Sequence, residues 1–550
     1  MASPAITTAV RTAILLLALL VFLGNIMMWI MMPTDTYYNH WLLHILADTN
    51  STFFGIQGPI MLNFTFPILF IAVLGCMYLH MGNKKSSITE SKRDTKLRFL
   101  KRPMIVKGLG IVTMTELALF TMFIALCFWY FADYLRHWFK QVPVLSATRG
   151  EKEWESKVER VGLVAGVAGN LCLTFLFYPV TRGSSILPML GLTSEGSIKY
   201  HIWLGNITMA LFTAHGFLYF LYWGFTNRLS EMLKWDDHYV SNVAGEISLL
   251  CGLALWVTTY PTIRRKMFEL FLYTHYLYIL FIIFFILHTG IGFACIMLPG
   301  LYLFVIDRYL RFLQSRAKVR LLSARVLQCQ TIELNFSKTR GLSYNPTSTI
   351  FINVPSISKL QWHPFTITSN SNLEPETLSV IIKCEGSWTR KLYDVISSPS
   401  PIDHLQEVSL NISFTLSIKN TYKLYSYTKK ASVNMLIICF SVVIAASGAF
   451  LWNKKQSAKE AKQLQHTEES TTIKSSEDVE LESLPLESVT KSINVHYGHR
   501  PNLKRILMEI KESNVGVLVS GPKEMREDVA AIYSTGQADN LQFESISFTW

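Results

Sequence analysis

Long apolar stretches alternate with polar loops over the first 312 residues of this 550-residue chain. A helix needs about 20 mostly apolar residues to cross a bilayer. Eight stretches of about that length lie near residues 10–32, 59–81, 108–132, 161–180, 200–225, 244–261, 268–290 and 292–312, and a ninth lies near 433–452. The pattern predicts a multi-span α-helical membrane protein.

The basic residues indicate which way the predicted spans run. They cluster at 83–107, at Arg264-Arg265-Lys266 and at 308–320. All three clusters lie on one side of the membrane if the N-terminus is cytoplasmic, which satisfies the positive-inside rule. The 33–58 loop then lies outside and contains a glycosylation sequon at residues 50–52.

The composition supports a membrane protein and argues against nucleic-acid binding. The chain is 50% hydrophobic and 16% charged, whereas soluble proteins average about 25% charged residues. The net charge is +12, from 51 Lys and Arg against 39 Asp and Glu. Because basic residues collect in the cytoplasmic loops of membrane proteins, we expect no nucleic-acid partner. The eight cysteines are scattered and suggest neither a disulfide framework nor a zinc site.

The pattern changes to short β-branched runs after residue 320. Runs over 319–336 and 349–384 favour strands of a small barrel or sandwich outside the bilayer. Residues 453–490 are polar and rich in Ser, Glu and Lys, as in a linker. An apolar run then ends in Ser-Gly-Pro at 520–522, which is typical of a strand and turn in an α/β domain.

Two histidines lie in each of two predicted spans. His201 and His215 belong to the fifth span, and His275 and His288 belong to the seventh. Ionisable residues inside a bilayer are costly and are functional candidates, although a single one is often a packing residue. The separations of 14 and 13 residues correspond to about 21 and 19.5 Å along a helix.

The fifth and seventh spans run parallel because one span separates them. His201 therefore pairs with His275, and His215 pairs with His288. Each level fits one haem iron between two imidazoles, and two levels ~20 Å apart exclude a single zinc or iron ion shared by all four histidines. A spacing of 13 turns the second histidine away from the first at about 100° per residue, so the seventh span needs a kink or a π-bulge.

The β-rich segment contains the sequence His-Pro-Phe-Thr-Ile-Thr-Ser at 363–369, followed by Ile-Lys-Cys-Glu-Gly-Ser-Trp-Thr at 382–389. The first run alone fits a strand entered from a proline turn. Together with the histidine pairs, it resembles the flavin-dependent transmembrane reductases: the NADPH oxidases, the yeast metalloreductases and, most closely, the plant ferric-chelate reductases (ferric reduction oxidases). The two extra N-terminal spans, the polar linker and the ending at 543–550 also resemble the plant branch.

The resemblance implies two haems b, FAD and NADPH as cofactors. It assigns His201 and His275 to the inner haem and His215 and His288 to the outer haem. The implied FAD-binding residues are His363, Pro364, Phe365, Thr366, Ser369, Lys383 and Thr389, and the implied NADPH-side residues are Ser520, Gly521 and Pro522.

The implied reaction is a relay across the lipid bilayer. Cytosolic NADPH would reduce FAD, and electrons would then pass singly through the inner and outer haems to a ferric chelate outside. FAD is needed because a hydride carries two electrons whereas haem and ferric iron each accept one. We expect the plasma membrane, with the N-terminus and the FAD domain in the cytosol, because the N-terminus does not resemble a transit peptide.

The chain departs from this family after residue 403. The family continues into a Gly-Pro-Tyr-Gly-Pro flavin loop and a Gly-Gly-x-Gly-Ile-Thr-Pro turn for the NADPH phosphates, and this chain has neither. A glycine-rich turn before a helix is how such folds bind a pyrophosphate. Residues 405–430 contain no Gly and lead to the ninth span, where the family has a pair. An odd number of spans would place 453–550 outside.

The expected fold is therefore a bis-histidine di-haem membrane core, a β-barrel FAD-binding domain and an incomplete α/β NADPH-binding domain. The expected divisions are two N-terminal spans (1–107), the di-haem core (108–312), a truncated FAD domain (319–403), the shortened junction (404–432), a further span (433–452), a linker (453–490) and an NADPH-domain remnant (491–550).

Several functions remain open from the sequence. The chain is a ferric reductase whose internal segment is missing through splicing or a faulty gene model, or it is a stable, reductase-dead form. Such a form would be a haem-carrying membrane protein or a regulatory partner that associates with intact relatives. A superoxide-producing NADPH oxidase would use the same relay. A channel or transporter with packing histidines is disfavoured, because no broken helix directs charge to the midplane.

Overall fold

The computed structural model describes most of the membrane part and both ends of the soluble part. The described residues are 4–48, 57–82, 102–182, 184–192, 194–236, 240–315, 319–327, 330–338, 344, 348–358, 361–370, 373–374, 376–397, 502–510, 515–520, 523–534 and 541–546. Five sequence predictions lie outside them: the sequon at 50–52, the junction at 404–432, the ninth span at 433–452, the linker at 453–490, and Gly521 with Pro522.

The membrane part consists of helices at the predicted positions. They are α1 (Pro4–Met31), α2 (Phe66–Gly82), α3 (Met114–Arg149), α4 (Glu153–Leu176), α5 (Ser194–Phe225), α6 (Asn242–Thr258), α7 (Phe268–His275), α8 (Tyr278–Thr289) and α9 (Ile291–Ser315). Shorter helical turns connect them at Tyr37–Trp41, Leu42–Asp48, Gly58–Ile60, Met61–Thr65, Tyr178–Val180, Ile186–Met189, Leu229–Leu233 and Pro261–Lys266.

Seven candidate spans in the described part of the chain are long and apolar enough to cross a membrane. Helix α6, at 17 residues, is apolar but shorter. These eight segments correspond one to one with the first eight predicted spans.

The third span begins later than predicted. Residues 108–113 belong instead to an antiparallel hairpin of β1 (Pro103–Val106) and β2 (Gly110–Thr113). Gly108 and Gly110 adopt positive φ angles of 94° and 73° in its turn, which glycine tolerates without steric cost. Thr113 then caps α3, because its hydroxyl accepts a hydrogen bond from the Glu116 backbone N–H at 3.2 Å.

The seventh span is broken between its two histidines, as the 13-residue spacing predicts. Helix α7 ends at His275 and α8 begins at Tyr278. The backbone N–H groups of Tyr276 and Leu277 bond to carbonyls three residues earlier, at 3.2 and 3.0 Å, which is the tighter 3₁₀ pattern. The Thr274 hydroxyl also donates to the Leu270 carbonyl at 2.8 Å, and such back-bonding often bends helices.

The predicted β-barrel is not present in the described residues. Strands β3 (Leu321–Leu327), β4 (Thr331–Ser337) and β7 (Thr377–Lys383) form one antiparallel sheet, and β5 (Thr349–Ile352) pairs with β6 (His363–Thr366) in a second. A single bridge, Ile367 with Val380, joins the two. Five strands in two sheets with one bridge between them do not close, which corrects the barrel expectation.

Helix α10 (Ser387–Ser397) packs on the hydrophobic core of this β unit. Its buried residues Trp388, Leu392 and Ile396 recur every four positions, the spacing of one helix face. The core opposite them is built from alternate residues of β4 and β7, such as Ile332 and Val380.

The C-terminal segment forms a small α/β unit, as predicted. Helices α11 (Leu503–Glu509) and α12 (Lys523–Ser534) accompany the parallel strands β8 (Val515–Ser520) and β9 (Leu541–Ile546). Helix α12 also contacts β1, which lies at the end of the basic stretch 83–107 that was predicted to be cytoplasmic. This contact disagrees with the expectation that a ninth span places the C-terminal segment outside.

Candidate functional site

The structure brings the histidines together in the two predicted pairs. The ring centroids of His201 and His275 are 6.3 Å apart with an interplanar angle of 70°. Those of His215 and His288 are 6.0 Å apart at 67°. We call these the inner and outer pairs, after their predicted positions in the membrane. The break between α7 and α8 allows both histidines of the seventh span to face α5.

Backbone carbonyls fix three of the four imidazoles. His201 Nδ1 lies 2.9 Å from the Leu176 carbonyl, His215 Nδ1 lies 2.8 Å from that of Gly162, and His288 Nδ1 lies 2.9 Å from that of Ser241. Because a carbonyl can only accept, each Nδ1 donates, and each neutral ring keeps its lone pair on Nε2. Metal-ligating histidines almost always carry such a second hydrogen bond.

Glycines on the neighbouring helices make room for the outer pair. A Cβ added to Gly166 of α4 would lie 2.6 Å from His215 Nδ1, and one added to Gly245 of α6 would lie 2.7 Å from His288 Nδ1. One added to Gly169 would lie 2.5 Å from the Phe212 ring. Sequence reasoning missed these contacts, although glycines at 162, 166 and 169 form the small-residue stripe of closely packed membrane helices.

The outer pair lines a cavity of about 610 Å³, which we call the outer cavity. Its apolar wall includes Phe212, Phe281 and Phe285. Its volume lies within the roughly 300–1,000 Å³ of cofactor and ligand sites. Two imidazoles with available Nε2 atoms on an apolar cavity of this size fit a planar haem group.

Charged residues of the outer cavity form a hydrogen-bonded network. Arg149 Nη1 donates to Glu159 Oε2 at 3.0 Å and to the Tyr222 hydroxyl at 3.1 Å. That hydroxyl donates to Glu151 Oε1 at 2.9 Å, and Arg228 Nη1 lies 2.8 Å from the same oxygen. This network contains two arginines and two glutamates, Arg160 Nε lies 3.6 Å from Glu159 Oε2, and two further carboxylates, Glu231 and Glu246, also line the cavity. The hydropathy pattern gave no signal for this network.

The predicted flavin residues meet a tryptophan of α10. The Trp388 ring lies 4.4 Å from that of His363 and 6.1 Å from that of Phe365, which it stacks at 27°. Trp388 is buried, and burial lowers the pKa of His363. Pro364 and Thr366 lie on the same strand, β6. The His-Pro-Phe-Thr strand and the Gly-Ser-Trp-Thr turn therefore form one aromatic surface, in which the buried Trp388 backs the half-buried rings of His363 and Phe365.

The other predicted flavin residues have separate surroundings. The buried Ser369 hydroxyl accepts a hydrogen bond from the Ser379 backbone N–H at 2.9 Å and lies 2.7 Å from the Tyr344 hydroxyl. Thr389 Oγ1 accepts from the Gly386 backbone N–H at 3.0 Å in the first turn of α10. Lys383 lies on the surface at the end of β7.

The Lys383 ammonium forms an ion pair with Glu385 at 2.7 Å. The hydrogen bond that the Lys383 ammonium donates to Glu385 raises the pKa of Lys383. Its charge is therefore already paired with a carboxylate. On the nicotinamide side, Ser520 ends β8 and α12 begins at Lys523, so the two residues between them separate a strand from a helix.

Three family models match the chain. The model for the ferric reductase like transmembrane component matches residues 165–286, the FAD-binding domain matches 316–437, and the ferric reductase NAD binding domain matches 399–534. The first match includes three of the four histidines, all but His288, and the second includes the whole predicted flavin motif.

Curated relatives match nearly the whole chain. It is 41% identical to ferric reduction oxidase 2 of Arabidopsis thaliana, covering 97% of this chain and 96% of the relative. It is 39% identical to ferric reduction oxidase 3, mitochondrial, of the same plant, covering 98% and 95%. The heavy chain of a superoxide-generating NADPH oxidase from Dictyostelium discoideum is 31% identical over 32% of this chain and 34% of the relative.

The first alignment shows that the chain is shorter than its relatives. It extends over 697 positions, which exceeds the 550 residues of this chain by 147. Because it covers nearly all of both proteins, the relative contains a long segment, or several, that this chain lacks.

Proposed function

Since this chain belongs to the ferric reduction oxidase family, we propose that it is a transmembrane ferric-chelate reductase that supplies reduced iron for uptake. It is an oxidoreductase of a family that combines a membrane component with FAD- and NAD-binding domains. Electrons would pass from cytosolic NADPH through FAD and two b-type haems to ferric iron outside. The observation that carries this proposal is the pair of facing imidazoles at each of two levels.

His201 and His275 would hold the inner haem, and His215 and His288 would hold the outer one. A bis-histidine haem transfers single electrons, which suits ferric iron as the acceptor. The Leu176, Gly162 and Ser241 carbonyls keep three imidazoles in the tautomer that presents Nε2. Gly166 and Gly245 lack side chains and so leave room for the imidazoles of His215 and His288.

The aromatic surface of the β unit would hold the flavin. His363, Pro364, Phe365 and Thr366 supply the strand edge. The first turn of α10, with Thr389, offers backbone N–H groups where helices bind phosphates. FAD divides the two electrons of a hydride into single electrons. Lys383 would also contribute to phosphate binding, with an ammonium group that is paired with Glu385.

Whether this chain is an active reductase or a reductase-dead form depends on its NADPH-binding segment. We place the shortfall of the chain at the junction 404–432, where the family's glycine-rich turn would stand, and we keep the predicted divisions for the remaining segments. Ser520, Gly521 and Pro522 would contribute to an NADPH site that lacks this glycine-rich partner loop. A reductase-dead form that carries haem, alone or with intact relatives, is therefore the second candidate function. A superoxide-producing oxidase has less support, because that similarity covers a third of the chain.

A reduced-minus-oxidised absorption spectrum of the purified protein tests the haem assignment. We expect a low-spin b-type signal that is lost when His201→Ala and His215→Ala are combined. A protein without that signal, or a double variant that keeps it, would contradict the proposal. The matched control is His80→Ala, which changes a histidine of α2 outside both pairs.

Ferric-chelate reduction by membranes tests the reaction and the shortening together. We expect NADPH-dependent reduction from a form in which the family's missing segment is restored, and severe loss in the 550-residue form. Equal rates in the two forms would refute the proposal that the shortening impairs NADPH-dependent reduction. No reduction by either form would refute the proposal that this protein reduces ferric chelates. Fractionation tests our assignment to the plasma membrane, because one relative is named mitochondrial.

A further inference from the structure

Oxidisable aromatic side chains form a continuous series through α1, α3 and the turn that follows α1. The ring centroids of Trp29 and Tyr130 are 6.4 Å apart, and those of Tyr130 and Tyr134 are 4.9 Å apart. The hydroxyl oxygens of Tyr134 and Tyr38 are 2.9 Å apart. We call these four residues the aromatic chain. Tryptophan and tyrosine are the protein side chains that most readily lose one electron to a neighbour at such distances.

One end of the aromatic chain adjoins the outer cavity. Trp29 and Tyr130 line a small void between α1, α3 and the histidine-bearing helices. That void and the outer cavity share four wall residues, Val167, Asn170, Phe285 and Phe293. A single layer of side chains therefore separates the aromatic chain from the cavity of His215 and His288.

The other end reaches the surface. Trp29, Tyr130 and Tyr134 are 3–5% exposed, whereas Tyr38 is 36% exposed. The Tyr38 ring stacks at 27° on His137, with centroids 6.1 Å apart. His137 Nδ1 lies 2.5 Å from Asp35 Oδ1. The series thus runs from a buried cavity wall to an exposed phenol.

We propose that the aromatic chain protects the site by carrying one-electron oxidising equivalents from the outer cavity to Tyr38. This rests on the proposed function, in which the haem of the outer cavity reduces ferric iron outside, so that ferrous iron forms on that side of the membrane. Ferrous iron reduces hydrogen peroxide by one electron, giving ferric iron, hydroxide and a hydroxyl radical.

The remaining steps balance within the aromatic chain. The hydroxyl radical takes one electron from Trp29 or Tyr130 and becomes hydroxide, and the proton that Tyr38 later releases to solvent converts one hydroxide to water. Tyr134 and then Tyr38 replace the lost electron, and Tyr38 releases its phenol proton to solvent. A soluble reductant of the ascorbate class returns one hydrogen atom to the Tyr38 radical.

Phenylalanine substitutions separate this function from simple packing. The Tyr130 hydroxyl donates to Met32 Sδ at 3.0 Å, and the Tyr38 and Tyr134 hydroxyls bond to each other. Tyr→Phe keeps the ring and its contacts but removes the readily oxidised phenol. If these residues only pack, Tyr134→Phe should have little effect on which side chains are oxidised. If they transfer electrons, Tyr134→Phe should stop electrons from passing from Tyr38 to Tyr130.

The test exposes the purified full chain in detergent to a ferrous chelate and hydrogen peroxide, with ethanol in the solvent to scavenge radicals formed in bulk. Rapid-freeze electron paramagnetic resonance measures tyrosyl radicals, and peptide mass spectrometry locates oxidised side chains. Because ferrous iron is supplied directly, the outcome does not depend on reductase activity, which is measured separately.

In the unaltered protein we expect a tyrosyl signal and oxidation at Tyr38. Tyr134→Phe should lower Tyr38 oxidation several-fold and raise oxidation at Trp29 and Tyr130, while leaving the exposure of Tyr38 to direct attack unchanged. Tyr302→Phe, a buried tyrosine outside the series, is the matched control. Equal Tyr38 oxidation in the unaltered and Tyr134→Phe proteins overturns the proposal, as does an equal loss in Tyr302→Phe. Elution volume and haem content show whether each variant is folded.

Discussion

Replacing Gly166 with Ala should remove the outer haem while leaving the inner one in place. The added Cβ would lie 2.6 Å from Nδ1 and 3.0 Å from Cε1 of His215. Carbon and nitrogen atoms in contact are normally about 3.5–4.0 Å apart, so the ring or a helix must move by about 1 Å. The His215 ring cannot move that far and keep its 2.8 Å hydrogen bond to the Gly162 carbonyl.

The free-energy cost of Gly166→Ala has two parts, the overpacking against His215 and the loss of the hydrogen bond to the Gly162 carbonyl. Overpacking of this kind costs about 1–3 kcal/mol, and a lost hydrogen bond costs about 0.5–1.5 kcal/mol. The sum of about 1.5–4.5 kcal/mol corresponds to roughly ten- to thousandfold weaker haem binding at one site. The inner pair is about 21 Å away along α5 and should keep its haem.

Haem extracted as its pyridine complex, counted per polypeptide, measures the outcome. We expect two haems in the unaltered protein and one in Gly166→Ala, with the b-type absorption band halved. Gly224→Ala on α5 is the control, because a Cβ there has no atom within 4 Å. Gly245→Ala tests the same outer haem from the opposite histidine, since its Cβ would lie 2.7 Å from His288 Nδ1. Two haems in both close-contact variants would refute the reasoning.

Three further predictions concern the soluble unit and the third span. Trp388→Leu should lower FAD content relative to Trp388→Phe, which keeps a ring against His363, as measured by flavin fluorescence after denaturation; equal contents would argue against the aromatic surface as the flavin site. Because burial lowers the pKa of His363, the unfolded β unit binds more protons below about pH 6.5, so its stability should fall as the pH drops below that value and stay level above it. Thermal unfolding of the β unit, followed by hydrogen exchange at β4 and β7 with the intrinsic pH dependence of exchange subtracted, should show this slope, and His363→Gln should reduce it. Thr113→Ala should destabilise the start of α3 by about 0.5–2 kcal/mol, seen as faster amide hydrogen exchange near Glu116, and Thr113→Ser should not.

The sequence predicted the membrane architecture well because lipid imposes a strong requirement on it. Eight apolar stretches became helices at the expected places, and the 13-residue spacing from His275 to His288 predicted the break that separates α7 from α8. The start of the third span was wrong, since the apolar residues of 108–113 resemble a span and a hairpin equally. A hydropathy pattern does not register the turn at Gly108 and Gly110, which makes these residues a hairpin and not the start of a span.

The fine structure of the site could not be read from the sequence, because it depends on distances between helices. Gly166 and Gly245 were visible as residues, but their role as space for an imidazole appears only when α4 packs on α5 and α6 packs on α8. The network of Arg149, Glu151 and Tyr222 joins the end of α3 to α5, two segments about 70 residues apart in the chain. The contact of the Trp388 ring with His363 and its stacking on Phe365 likewise require the β unit to be folded.

Haem binding and NADPH oxidation should be separable in this chain, because they depend on different segments. The backbone carbonyls that fix His201, His215 and His288 all belong to residues 162–241, and the glycines around the outer pair lie in α4 and α6. None of these groups comes from the region after residue 403, where we propose that the chain is shortened. The 550-residue form should therefore contain two haems that dithionite reduces fully, whereas NADPH should reduce them slowly or not at all. Restoring the missing segment should recover reduction by NADPH without changing the haem content or the spectrum. A form with less than two haems that gains haem on restoration would show instead that the soluble part is needed to assemble the membrane core.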